Sequence, residues 1–318
     1  MKVKIIQIWV ILLSLCIAQN KSSILPIISL ASHYSNVPTF GLSHHLENDY
    51  TTGSIFTALE GTTYYLAQQH MNVIRDNNSY PNVSTNLIKY NKYVRGISAY
   101  DYSKYYIANQ LKFVPIMISD IDHFLSFRKY WKNEMHSEYV SQSNILDFVS
   151  SPFQSRYLKD PEIFIPILIA ASVPFWEKSE EISLFNTKSI NIFGKDYSTT
   201  SGSALKILND ILFLSLVAVS EEVLFRGMLQ NTFSEAVNPK FGLVVSSVLF
   251  GLAHLPNHDL IYSLRAMASG LYLGWQYQKY NNDLGRVIAL HFHIDFMPTL
   301  IGLFKTPSQT NGIYSVSY

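Results

Sequence analysis

Four apolar segments in quick succession constrain this chain more than any other feature of its sequence. They cover residues 205–233, 241–255, 260–277 and 287–304. At about 1.5 Å per residue, each could cross a bilayer if some are tilted or short. A fifth apolar segment of marginal length, residues 163–176, precedes them. It is separated from them by a polar stretch rich in Ser, Thr and Asn at 178–202. Short loops between the four make sequence neighbours antiparallel. A buried soluble bundle is the alternative, but consecutive apolar helices of this kind are typical of membrane spans. The expected fold is therefore all-α: a multi-pass transmembrane helical bundle with membrane lipids around it.

Composition agrees. Charged residues make up 15% of the 318 residues, against roughly 25% in soluble domains. The net charge is +1, and no Lys/Arg cluster offers a nucleic-acid surface. The single cysteine, Cys16, excludes a disulfide framework, a Cys-based zinc site and a thiol nucleophile.

The N-terminal half is mixed. Lys2 and Lys4 precede an apolar run at 5–18, with small Cys16 and Ala18 near its end. Residues 1–18 therefore read as a signal peptide or an N-terminal anchor. Residues 19–160 read as an accessory region, partly polar and partly membrane-embedded. Within it, 24–31 is apolar but short, 51–69 a small-residue-rich helix, and 100–122 aromatic and partly helical. Residues 76–81 form a loop, and 129–150 is largely polar up to a break at Ser150-Ser151-Pro152. Residues 161–305 are the expected catalytic unit, and 306–318 a C-terminal tail.

Polar residues inside the apolar segments face a bundle interior or an aqueous cavity and usually mark function. Three clusters qualify. In the first, Glu222 and Arg226 stand four residues apart and share a helix face, whereas Glu221 is rotated about 100° away. In the second, Phe250 and His254 share a face, and Gly251 and Ala253 leave room for close helix approach. In the third, His291 and Asp295 face the same way, while His293 points elsewhere. His258 lies beyond a break at Pro256. Each cluster alone has a bland reading, a surface ion pair or a satisfied core histidine.

Together they read EExxxR, FxxxH and HxxxD, in that order on separate apolar helices. The set resembles the CAAX prenyl protease and bacteriocin-processing family of intramembrane proteases, over about residues 163–304. The resemblance implies an intramembrane endopeptidase of the bacterial inner membrane, acting on a peptide or protein substrate without a cofactor. Glu221 and His254 would activate water, and Glu222 and Arg226 would hold the first motif in place, with Phe250 in support. Chemically, His291 could donate to the oxyanion. The family accepts Asn or Asp at the last motif position, so Asp295 either stays protonated or fixes the tautomer of His291. Prenylated C-termini are one substrate class of the family, but nothing here reads a prenyl group.

Three alternatives stay open. Glu221, His254 and His291 also form a two-His, one-carboxylate zinc set. The chain could be a non-enzymatic membrane scaffold or immunity protein, although every motif position is filled. Buried Glu and His also build the proton relays of transporters.

Overall fold

The computed structural model describes residues 21–35, 37–76, 99–134, 145–176, 189–192, 195–255, 258 and 260–304. The expected signal segment, the loop at 77–81, Pro256 and the C-terminal tail lie outside them.

The described residues are overwhelmingly helical. In the N-terminal half run α1 (Lys21–Ser35), short α2 (Leu42–Leu46), α3 (Tyr50–Asp76) and α4 (Ala99–Glu134). Then come α5 (Ile145–Ser150), a 3₁₀ turn at Ser151–Phe153, α6 (Ser155–Leu158) and α7 (Pro161–Trp176). An unexpected antiparallel hairpin, β1 (Ser189–Ile192) with β2 (Lys195–Ser198), sits in the polar stretch and packs on α4 and the following helix. That helix, α8 (Thr199–Glu222), continues through a π-helix at Val223–Gln230 into α9 (Asn231–Ala236). Last come α10 (Pro239–His254), α11 (Leu260–Lys279) and α12 (Leu284–Phe304).

Capping side chains set several of these boundaries, because the first amides of a helix lack backbone partners. Ser198 Oγ accepts from Ser201 N at 3.3 Å and starts α8. Asn238 Oδ1 accepts from Phe241 N at 3.0 Å and starts α10, with Pro239 in the first turn. Asp160 and Asp283 cap α7 and α12 in the same way. The turn between α11 and α12 uses Asn281 and Asn282 at φ 54° and 61°. Asn tolerates this left-handed region better than most residues, since its amide can bond locally.

The run Thr200–Ala236 spans 37 residues and is, among the described residues, the one helix long and apolar enough to cross a membrane. Three shorter apolar helices accompany it, at Ile24–Ser35, Pro161–Val173 and Pro239–His254. One hydrophobic core joins both halves of the molecule. Leu25 and Leu30 of α1, Phe124 and Phe127 of α4 and Phe148 of α5 belong to the same cluster as Phe225, Phe250 and Ile288. The expected accessory region is thus part of the bundle wall around α8.

At one end, a polar latch joins α7, α11 and α12. Arg286 donates through Nη1 to Asp160 Oδ2 at 2.9 Å and through Nε to Gln276 Oε1 at 2.8 Å. Its guanidinium stacks 3.5 Å from the centroid of the Tyr280 ring. The Arg286 bond holds the Asp160 carboxyl below its ordinary range.

Candidate active site

α8 ends at Glu222, and the next eight residues wind as a π-helix whose side chains are all buried. Such segments are rare and often sit at functional sites. Glu222, Arg226 and Gln230 recur every four residues, a stripe facing α11. Arg226 Nη2 donates to the Gly270 carbonyl at 3.2 Å and Gln230 Nε2 to that of Gly274 at 3.0 Å. The glycines permit this approach, since a Cβ on Gly274 would stand 2.6 Å from Gln230 Oε1. Gly251 serves the same purpose between α10 and α11: its Cβ would meet Met267 Cβ at 2.7 Å. The close helix approach expected at Gly251 is found there.

The expected Glu222–Arg226 pair is present and buried, with Nη1 donating to Oε1 at 2.9 Å. The same oxygen accepts from His291 Nδ1 at 2.6 Å, a bond the spacing of motifs cannot reveal. Glu222 thereby joins the first motif to the third. The Arg226 guanidinium also lies 4.5 Å from the centre of the Phe250 ring, a cation–π contact. Phe250 stands edge-on to His291 at 5.9 Å and to His254 at 4.9 Å. One aromatic ring therefore touches members of all three motifs.

Glu221 is placed differently from its neighbour. Its Oε2 lies 3.7 Å from His291 Nε2 and accepts no hydrogen bond. Asp295 Oδ2 lies 3.3 Å from the same nitrogen, one helical turn along α12. The imidazole of His291 is thus held at Nδ1 by Glu222, while Nε2 faces Asp295 and Glu221. His254 makes no hydrogen bond or ion pair to Glu221 or His291; it joins the group through Phe250. Its Nδ1 lies 2.8 Å from the Phe250 carbonyl. A carbonyl only accepts, so Nδ1 carries the hydrogen and the neutral ring keeps Nε2 as an acceptor.

His293 turns away as expected, and its Nε2 donates to the Pro152 carbonyl at 2.7 Å. His258 lies beyond the end of α10, as expected. It stacks on Tyr262 at 3.9 Å and stands 6.0 Å from the His254 ring, because its backbone amide still bonds the His254 carbonyl at 2.9 Å. Among the described residues, no three His, Cys, Asp or Glu side chains are arranged to hold a metal ion. The zinc set of Glu221, His254 and His291 is therefore not preformed among the described residues.

Two contributors gave no motif. Ser220, directly before Glu221, donates to Asp120 Oδ2 of α4 at 2.8 Å. His33 of α1 reaches the same oxygen and stands edge-on to Phe225 at 6.2 Å. A buried polar residue beside a motif was the only signal, and its partner lies 100 residues away.

Residues 203–297 match the family described as Rce1-like, type II CAAX prenyl endopeptidase. All seven motif residues fall within the match, while α1 to α7 and the hairpin precede it. No curated protein and no solved structure matches the chain.

Proposed function

We propose that this chain is an intramembrane endopeptidase, because residues 203–297 match the Rce1-like family of type II CAAX prenyl endopeptidases. It hydrolyses peptide bonds of membrane-associated substrates with a water activated by Glu221 and His254. The observation that carries the proposal is the contrast between adjacent glutamates. Both glutamates leave a buried Oε2 without a donor, but Glu222 is tied through Oε1 to Arg226 and His291, whereas Glu221 Oε2 only faces His291 Nε2 at 3.7 Å. A general base needs an oxygen that is positioned but not already occupied.

The residues divide the chemistry. Glu221 takes a proton from water, which His254 Nε2 helps to orient, and the resulting hydroxide attacks the substrate carbonyl. His291, as an imidazolium with Nδ1–H donating to Glu222, donates from Nε2–H to the oxyanion that forms. Glu221 then returns the proton to the departing amine nitrogen as the C–N bond breaks, so the proton count closes. Asp295 is the resting acceptor for His291 Nε2–H. Glu222, Arg226 and Phe250 keep that ring in place.

The bundle is proposed to cross the membrane several times. α7 supports this, since Phe164, Ile165, Leu168 and Ile169 are each about half exposed. An apolar face of that kind is a lipid or partner surface.

The test is cleavage of a peptide library by the purified protein in liposomes. His254→Ala and His291→Ala should each lower turnover on the order of a hundredfold while remaining folded. Asp295→Asn should keep substantial activity, because its carbonyl oxygen still accepts from His291. Activity should survive a strong chelator; loss on chelation with recovery by zinc alone would favour the metal-dependent alternative. No cleavage, but proton uptake driven by a gradient, would favour a transporter.

A further inference from the structure

The buried carboxylate of Asp120 belongs to no motif and lies outside the matched domain, yet it reaches the residue beside the proposed base. Its Oδ1 accepts from Ser29 of α1 at 2.5 Å. Its Oδ2 accepts from Ser220 at 2.8 Å and lies 3.2 Å from His33 Nδ1. Asp120 is fully buried, so these donors replace the water that an isolated carboxylate would need. Ser220 is fully buried too and sits in the last turn of α8, next to Glu221 and just before the π-helix. At that junction the regular i→i−4 ladder changes, and the backbone alone fixes the direction of Glu221 less firmly. Tyr34 adds a second tie between α1 and the site: its hydroxyl donates to the Leu249 carbonyl, next to Phe250, at 3.4 Å.

We infer that Asp120 is a positioning residue for the proposed hydrolysis. It holds Ser220 and so sets the aim of Glu221, while His33 and Ser29 lock Asp120 to α1. The N-terminal helices are then part of the catalytic apparatus. Attack geometry is steep in distance, and a misplacement of about 1 Å costs on the order of a hundredfold. The effect falls on turnover, because no substrate group is bound by this tether.

The inference rests on the peptidase reading, and one set of variants separates the two. The full-length protein is assayed in liposomes for kcat and KM, with folding followed by thermal melting. Ser220→Ala loses one hydroxyl and should lower kcat about tenfold with KM within about twofold. Asp120→Ala should lower kcat further, Asp120→Asn should restore part of it, and the Ser220→Ala/Asp120→Ala double variant should be no worse than Asp120→Ala alone. That non-additivity marks one shared path. Ser43→Ala is the control: it removes a buried hydroxyl bonded to Asp122 on the same α4 helix and should leave kcat unchanged. If Asp120→Ala does not fold, Ser220→Ala against Ser43→Ala decides alone. Wild-type kcat in Ser220→Ala, additive losses, or an equal loss in Ser43→Ala overturns the inference while Glu221→Gln remains inactive. If Glu221→Gln instead cleaves like wild type, the peptidase reading fails first.

Discussion

The N-terminal helices and the matched domain both bury carboxylates beside histidines, yet they treat the oxygens differently. In the N-terminal half, Glu60, Asp120 and Asp122 have a donor at both oxygens, whereas Glu47 Oε2 has none and lies 3.6 Å from Lys129 Nζ. Glu60 accepts from the amides of Phe40 and Gly41 and from Ser119. Asp122 accepts from Ser43 and His44, and Asp120 from Ser29, His33 and Ser220. In the matched domain, Glu221 Oε2 and Glu222 Oε2 have none. A buried acceptor without a donor costs stability, and a fold tolerates that cost where chemistry needs the group uncommitted. In the proposed hydrolysis Glu221 is the uncommitted, reactive carboxylate, while Glu222, tied through Oε1 to Arg226 and His291, is architecture.

Substitutions can break or sharpen that contrast. The largest effect is expected at Glu221→Gln, which should lower turnover on the order of a hundredfold or more while hardly moving the melting temperature. An equal loss of stability would place Glu221 with the architectural carboxylates. Next comes Arg226→Ala. It strands Glu222 in the core and should cost about 3–5 kcal/mol in chemical denaturation; a loss under 1 kcal/mol would mean the pair is not buried as described. Glu60→Ala leaves two backbone amides and the Ser119 hydroxyl without their acceptor. It should cost about 3 kcal/mol, with turnover per folded molecule unchanged. Reduced turnover there would show that satisfied carboxylates also serve the chemistry. The smallest effect concerns the latch. The folded state holds the Asp160 carboxyl below its ordinary range, chiefly through the Arg286 bond. Its contribution is therefore complete above the unfolded pKa and disappears as pH falls through the folded value. The melting temperatures of wild type and Asp160→Asn should differ slightly at pH 7 and converge below about pH 4; a gap that widens on acidification would reverse the sign.

Much of the helical order was legible. The apolar segments at 163–176, 241–255, 260–277 and 287–304 correspond to α7, α10, α11 and α12 within a few residues, and capping residues begin α7, α10 and α12. The i, i+4 spacing of Glu222 and Arg226 brings them together as the period of a helix requires. The π-helix at Val223–Gln230 was not legible, since its composition differs little from that of an ordinary buried helix. Nor was the hairpin of Ser189–Ile192 with Lys195–Ser198, whose strands are only four residues long and sit in a polar stretch. The break between His254 and His258 was legible, but the stacking of His258 on Tyr262 was not.

The sequence by itself determined which side chains are out of place in an apolar helix, and therefore which ones call for a partner. Periodicity shows which pairs share a face, because a helix repeats every few residues whatever surrounds it. Only the tertiary structure decided who the partners are. Glu222 meets His291 across 69 positions and Ser220 meets Asp120 across 100. No local rule links residues so far apart; which of two adjacent glutamates is tied down follows from how α4, α8 and α12 pack.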